Sequence, residues 1–386
     1  MIAGMSIPSI LRAGGGCFAQ ASEVLLRLKC RRPLIVTDPF MMKSQLVQAL
    51  VAQIEGAELA CAIFHETVPD PTTAVIDTGV RMFQSGGHDS LVSLGGGSPI
   101  DTAKAIGVLV ANAGKMRDYK VPHPIPAAGP IHLAIPTTAG TGSEVSRFAA
   151  ITDSETGEKM LVAGDALIPT GALVDYELTL TMPPRLTADT GTDSLTHAIE
   201  AFVSRKANPL TAPFALAAMR TIWKELPISF REPGNRAARE AMMLAATQAG
   251  FAFSNASVAL VHGMSRPLGA QFHIPHGLSN AMLLPSVTAF SAEGALNRYA
   301  ECARAMGLAQ AADTDQSSVD QLIRGLYLRN AELEVPSPRQ FGIKKEQYLA
   351  VIPTMAEQAL ASGSPQNNPR IPTKAEIEEI YRQAWQ

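Results

Sequence analysis

A chain of 386 residues exceeds what one hydrophobic core usually organises, so two domains are expected. With 46% hydrophobic and 17% charged residues, a net charge of −3 and a pI near 6.3, it implies no basic patch, so nucleic acid and anionic membrane are poor candidate partners. Its four cysteines (Cys17, Cys30, Cys61, Cys302) form no CxxC pair, which argues against a disulfide framework or thiolate zinc site and for a reducing, cytoplasmic setting.

The amino-terminal MIAGMSIPSILRAGGG lacks the basic start and long apolar run of a signal peptide. Apolar stretches such as residues 106–113 fall far short of the roughly 20 residues a membrane span needs. In chain order, residues 32–37 (RPLIVT) predict a buried strand and 43–56 a helix. Residues 60–64 predict a strand, 72–85 a helix, 90–94 a strand running into glycines, 99–113 a helix and 131–135 a further strand. Strands alternating with helices of this length predict βαβ units and a parallel sheet. Beyond Pro183-Pro184 the chain becomes rich in Ala, Leu and Met with helical periodicity, and helices are expected over 188–204, 209–226, 236–254, 295–306, 319–328 and 374–385. The expected division is an α/β domain over 1–182 and an all-helical domain over 183–386.

Residues 93–104 read SLGGGSPIDTAK. Glycines there let backbone amides approach a phosphate, the following helix start adds a positive dipole end, and Pro99 suits a first turn. The spacing is not GxGxxG, and a plain tight turn is the competing reading. Residues 135–144 (IPTTAGTGSE) form a second loop of hydroxyls and free amides that could face a dinucleotide. Asp38, just after the first predicted strand, is placed to bond a ribose hydroxyl and repel a 2′-phosphate, or simply to cap the helix that follows.

Asp193 and His197 stand four apart in DSLTHAIEAF, on one face of a predicted helix. A surface ion pair is the commoner meaning of such a pair. His262 and His276 lie in HGMSRPLGAQFHIPH, where Pro267, Gly269 and Pro275 should break the segment and put the two imidazoles on different elements. One carboxylate and three imidazoles together suit Fe(II), Zn(II) or Ni(II), not Mg(II) or Ca(II).

Four segments carry a resemblance: GGGSPIDTAKAI (95–106), IPTTAGTGSEVSRFAAITD (135–153), ADTGTDSLTHAIEAF (188–202) and LVHGMSRPLGAQFHIPHGLSNAMLLP (260–285). Together they make the chain similar to the iron-containing (group III) alcohol dehydrogenases. The resemblance implies a Rossmann-like amino-terminal domain and a helical, metal-binding carboxyl-terminal domain, an architecture shared with dehydroquinate synthase. It further implies NAD-linked interconversion of a small primary alcohol and its aldehyde, and a homodimer or larger homo-oligomer. By motif position the metal ligands fall on Asp193, His197, His262 and His276. The cofactor contacts fall on Asp38, Asp70, Gly96, Gly97, Ser98, Asp101, Thr137, Thr138, Thr141, Ser143 and Lys159.

Three positions depart from the family pattern. Arg266 replaces a histidine often proposed to relay protons, so His273 becomes a substitute relay candidate, and Arg266 could instead hold an anionic substrate such as an oxo acid or semialdehyde. Asp70 stands where an Asn is usual, adding a negative charge expected to disfavour NADP. The segment ALASGSPQ (359–366) lacks the usual Asp and Cys. A lyase reaction on the same scaffold is a further alternative, and Phe148, Phe253 and Leu260 are expected to line the substrate pocket.

Overall fold

The computed structural model describes residues 3–385, and the chain divides into two compact units, Ser6–Thr181 and a second made of residues 3–5 with residues 182–385. The first contains strands β1 (Ile10–Ala13), β2 (Pro33–Val36), β3 (Ala62–Phe64), β4 (Ser90–Gly95), β5 (Ile131–Pro136), β6 (Phe148–Thr152), β7 (Lys159–Ala163) and β8 (Gly171–Val174). Between them run helices α1 (Ala21–Arg27), α2 (Gln45–Gly56), α3 (Thr73–Ser85) and α4 (Gly97–Ala111).

Six strands form an all-parallel sheet in the order β1-β8-β5-β4-β2-β3, while β6 and β7 make an antiparallel pair. Strands β2 and β4 are buried without alternation because helices cover both faces. On one face Ile35, Val92 and Leu94 pack with Leu50 and Ile54 of α2. On the other, Leu34, Val36 and Leu91 pack with Ile76 of α3 and Ile106 of α4. From β2 the chain passes to β3 on one side and then to β4 on the other, which puts the sheet's switch point at the carboxyl ends of β2 and β4.

The second unit is helical: α5 (Pro184–Val203), α6 (Ala212–Arg231), α7 (Arg236–Ala256), α8 (Leu260–Phe272), α9 (His276–Ser291), α10 (Leu296–Ala305), α11 (Asp315–Glu332), α12 (Lys345–Ala361) and α13 (Lys374–Gln383). Helix α5 starts at Pro184, where a missing N–H costs nothing, and packs against α6, α7 and α9. It is buried along most of its length although it carries Asp189, Asp193, His197 and Glu200. A buried helix holding that many charges must pair them.

Helices α7 and α8 meet at a bend of 104°. Ser257 makes the bend with φ 63°, and Asn367 Nδ2 holds it by donating to Ser257 Oγ and Val258 O. Pro267 does not break α8, contrary to the sequence expectation. It only deprives the Gly263 carbonyl of its helical donor, and the break falls instead at His273, whose φ of 54° ends the helix before Pro275. Among the described residues no single helix is long and apolar enough to cross a membrane.

Candidate active site

The parallel pairing of β2 with β4 sets Val36 opposite Ser93, so Asp38 and the glycine turn emerge from adjacent strands at the switch point. Thr37 Oγ1 donates to Leu94 O at 2.8 Å and ties the two strand ends together. Gly95 has φ 150°, and a Cβ there would stand 2.6 Å from the Pro99 ring, so the turn admits no side chain. Gly96 caps α4 without any side-chain bond, leaving first-turn amides from Gly97 and Ser98 onward without a side-chain acceptor.

The second loop lies directly against this turn. A Cβ on Gly96 would meet Thr138 at 3.4 Å, and one on Gly97 would meet Thr141 at 3.1 Å. Thr137 N donates to Gly95 O at 2.9 Å, and the buried Thr138 hydroxyl has no hydrogen-bond partner. Asp38 Oδ1 accepts from Met41 N at 2.8 Å, so one of its oxygens serves as the cap considered from sequence.

Other residues assigned to the cofactor by motif position are engaged with the protein itself. Asp101 accepts from Ser143 Oγ at 2.5 Å and from Ala150 N at 2.9 Å. Lys104, which the sequence reading passed over, is fully buried and donates to Ser143 Oγ, Ser146 O, Ser146 Oγ and Phe148 O at 2.8–3.1 Å. Burial pulls its ammonium down to about 8 against the pull of Asp101 and Glu144. Desolvation likewise raises the Asp101 carboxyl, opposed first by Lys104. Asp70 and Lys159 form an ion pair with each other, so Asp70 brings no uncompensated charge to this region. Asp70 also has φ 53°, a conformation Asn and Asp tolerate best, which explains the residue type there.

In the helical unit α5, α8 and α9 bring four predicted ligands together. Asp193 Oδ1 lies 3.8 Å from His197 Nε2, 3.4 Å from His262 Nε2 and 3.8 Å from His276 Nε2. One ligand atom from each of Asp193, His262 and His276 falls within 4.8 Å of the others, and the His197 ring stacks on His262 at 4.5 Å. Phe253 stacks on the other face of His197 at 4.1 Å, so it supports a ligand candidate, and Leu260 is wholly buried. The bend between α7 and α8 returns His262 to α5, and Gly277 lets α9 touch α5: a Cβ there would stand 2.3 Å from Asp189 O.

Two residues of this cluster were not singled out from sequence. Glu200 Oε2 pairs with His262 Nδ1 at 2.6 Å. Asn280 Nδ2 faces Asp193 Oδ1 at 2.7 Å and both His262 Nε2 and His276 Nε2 at 3.3 Å, while its Oδ1 is buried without a partner. One amide thus confronts three lone pairs with two protons. Burial raises the Asp193 carboxyl, but the imidazoles in their protonated form, His197 first and then His276 and His262, outweigh it and hold it well below the usual carboxylate range. So acceptor-rich and buried a cluster fits a cation, and its donor set of one oxygen and three nitrogens fits a transition ion.

Arg266 lies one turn beyond His262 on α8. Burial lowers its pKa while Glu200 opposes, and its Nη1 donates to Ser364 Oγ at 3.0 Å. Ser364 belongs to the segment that lacks the family's Asp and Cys, and the neighbouring Pro365 packs against Gly263. His273 serves as the left-handed end of α8, and among the described residues the hydrogen bonds and ring contacts of the cluster do not include it.

The family model "Iron-containing alcohol dehydrogenase" matches residues 8–176, and "Fe-containing alcohol dehydrogenase family, C-terminal" matches 187–385. The NAD-dependent methanol dehydrogenase of Bacillus methanolicus is 36% identical over 379 residues, covering 98% of both chains. The NADPH-dependent butanol dehydrogenase of Clostridium saccharobutylicum is 36% identical over 364 residues, covering 93% of each. Among solved structures, a 1,3-propanediol oxidoreductase superimposes with a TM-score of 0.96 at 32% identity, covering 100% of each chain.

Proposed function

This chain belongs to the iron-containing alcohol dehydrogenase family and is an alcohol–aldehyde oxidoreductase, and we propose that it acts on small uncharged primary alcohols with NAD and a divalent ion. The ion, Fe(II) by family and Zn(II) or Ni(II) by donor type, would be held by Asp193, His197, His262 and His276. The convergence of those four residues, with Asp193 Oδ1 3.4–3.8 Å from three imidazole nitrogens, carries this reading. A bound ion supplies Lewis acidity toward an alcohol or aldehyde oxygen, and a bound nicotinamide takes or returns the hydride.

The chain's own residues do the remaining work. The amides at the start of α4 receive the cofactor's phosphates, with the Thr138 and Thr141 side chains beside them. Asp101, Ser143 and Lys104 pin the second loop in place. The Asp38 oxygen not engaged with Met41 accepts from a ribose hydroxyl and repels a 2′-phosphate, which favours NAD. Two relatives of equal identity carry NAD and NADPH in their names, so overall similarity does not decide this point, and Asp38 is what supports NAD in this reading.

A carboxylated substrate is not favoured. The relatives described above are named for methanol, butanol and propanediol, all uncharged, and Arg266 already donates to Ser364 and lies within the field of Glu200. Family membership likewise disfavours a lyase reaction.

The test is metal analysis combined with NAD reduction by short primary alcohols, before and after chelation and reloading with Fe(II) or Zn(II). Chelation should abolish turnover and reloading restore it, and Asp193→Ala should bind no ion and turn over at background. Full turnover by metal-free protein would sink the proposal.

A further inference from the structure

Glu200 and the residues of α8 form an arrangement that the four ligands do not account for. Glu200 lies seven residues after Asp193 on α5 and is 3% exposed. Each of its oxygens has one donor. Oε1 accepts from Val261 N at 2.6 Å, and Oε2 pairs with His262 Nδ1 at 2.6 Å. Val261 is the second residue of α8, whose start has no side-chain cap of its own. One carboxylate therefore does two things: it satisfies an orphan amide at the start of α8 and fixes the ring that this turn carries.

With Nδ1–H directed at Glu200, the lone pair of His262 is confined to Nε2. That nitrogen lies 3.4 Å from Asp193 Oδ1 and faces the Asn280 amide. Arg266, one turn along α8, adds a positive charge whose field reaches Glu200.

We infer that Glu200 is a positioning residue of the metal centre: it sets the tautomer and orientation of His262, so that Nε2 is the ligating atom and the site is assembled before the ion arrives. This rests on the metal reading given above. Glu200→Gln is the incisive substitution because it keeps the shape and removes one acceptor. Its NH2 must then face either the Val261 N–H, donor against donor, or His262 Nδ1, which forces the ring proton onto Nε2 and toward Asp193.

The experiment measures Zn(II) and Co(II) affinity of metal-free protein by competition with a chromophoric chelator, together with the visible spectrum of the Co(II) form. Glu200→Gln should bind roughly 10- to 100-fold more weakly than the natural protein. Its Co(II) spectrum should shift, while helix content by circular dichroism stays unchanged. Equal affinities and superimposable Co(II) spectra would overturn the inference. If the natural protein itself binds neither ion, the metal reading fails as well.

A second measurement does not depend on the variant's folding. In zinc-loaded protein labelled with 15N at histidine, the His262 ring should show Nε2 metallated and Nδ1 protonated. Ligation through Nδ1 overturns the assignment.

Discussion

The two regions proposed to carry the chemistry are built on opposite plans. At the carboxyl ends of β2 and β4 the groups offered to a ligand are mainly backbone amides, and the polar side chains nearby are spent on one another: Asp101 on Ser143, Lys104 on the 143–148 loop, Asp70 on Lys159. Where α5, α8 and α9 meet, the functional atoms are side-chain lone pairs aimed at one another, with Glu200 and Asn280 holding them. A backbone site tolerates changes of side chain so long as its glycines and loop clamps survive. A side-chain site tolerates almost none, but it can be displaced by backbone changes well away from the ligands.

The largest expected effect tests that last point. Gly277→Ala alters no proposed ligand, yet its Cβ must push the start of α9 off the Asp189 carbonyl and carry His276 with it. A loss of about 1–3 kcal/mol in stability is expected, as for other overpacked contacts. A weakened affinity for Zn(II) should accompany it, read by chemical denaturation and chelator competition. A variant as stable and as tight-binding as its parent would show that the α5–α9 contact does not set the cluster.

An intermediate effect belongs to the α/β unit. His132 is buried on β5, its Nε2 is 2.7 Å from Ser93 Oγ, and burial, reinforced by Lys104, lowers its pKa to about 3 from 6.5. Between those values the unfolded chain binds a proton that the fold refuses. The stability this ring permits is therefore complete above pH 6.5 and declines on acidification, with a limiting slope of about 1.4 kcal/mol per pH unit. Urea midpoints measured from pH 7.5 to 5 should fall less steeply for His132→Gln than for the natural chain, and parallel profiles would contradict the assignment.

Asp38→Ala should have the smallest effect on the fold, about 1 kcal/mol from losing the cap on Met41 N. It should matter more for choice of cofactor, since the ratio of kcat/KM for NAD to that for NADP should fall. An unchanged ratio would leave Asp38 as a cap alone.

The same contrast governs what could be read from the sequence. Asp193 and His197 declare a shared helix face by their spacing, and His262 and His276 stand out as rare residues in apolar surroundings. Glu200 has the same periodicity as Asp193 but resembles an ordinary exposed helical position until packing buries α5 on every side. Asn280 is hidden in the same way, one turn beyond His276. In the first unit the glycines mark the turn between β4 and α4, but motif position does not distinguish residues that face a cofactor from those that clamp the loop. Asp101 and Ser143 bond to each other, and Lys104, which joins them, looks like one more polar residue on α4.

Differences in the fold have equally local causes. Strands β1 and β8 have only four residues each and pair with partners far away in sequence, so no local pattern announces them. Helix α8 escaped because Pro267 reads as a break, and helices α9 and α12, which hold Pro285 and Pro353 in their interiors, went unassigned as well. In each case the helix continues through the proline, since tertiary packing outweighs one lost backbone bond.

The exposure of His276 has a consequence for how the proposed centre would exchange an ion. Its side chain is 37% exposed, against 6% or less for Asp193, His197 and His262. Three donors thus form the closed base of a cup, and the fourth stands at its rim. If these four residues hold an ion, His276 is the ligand an ion entering from solvent would reach first. On that reading, substitutions at the rim position would change the speed of metal exchange more than those at the buried three, which would chiefly change the strength of binding.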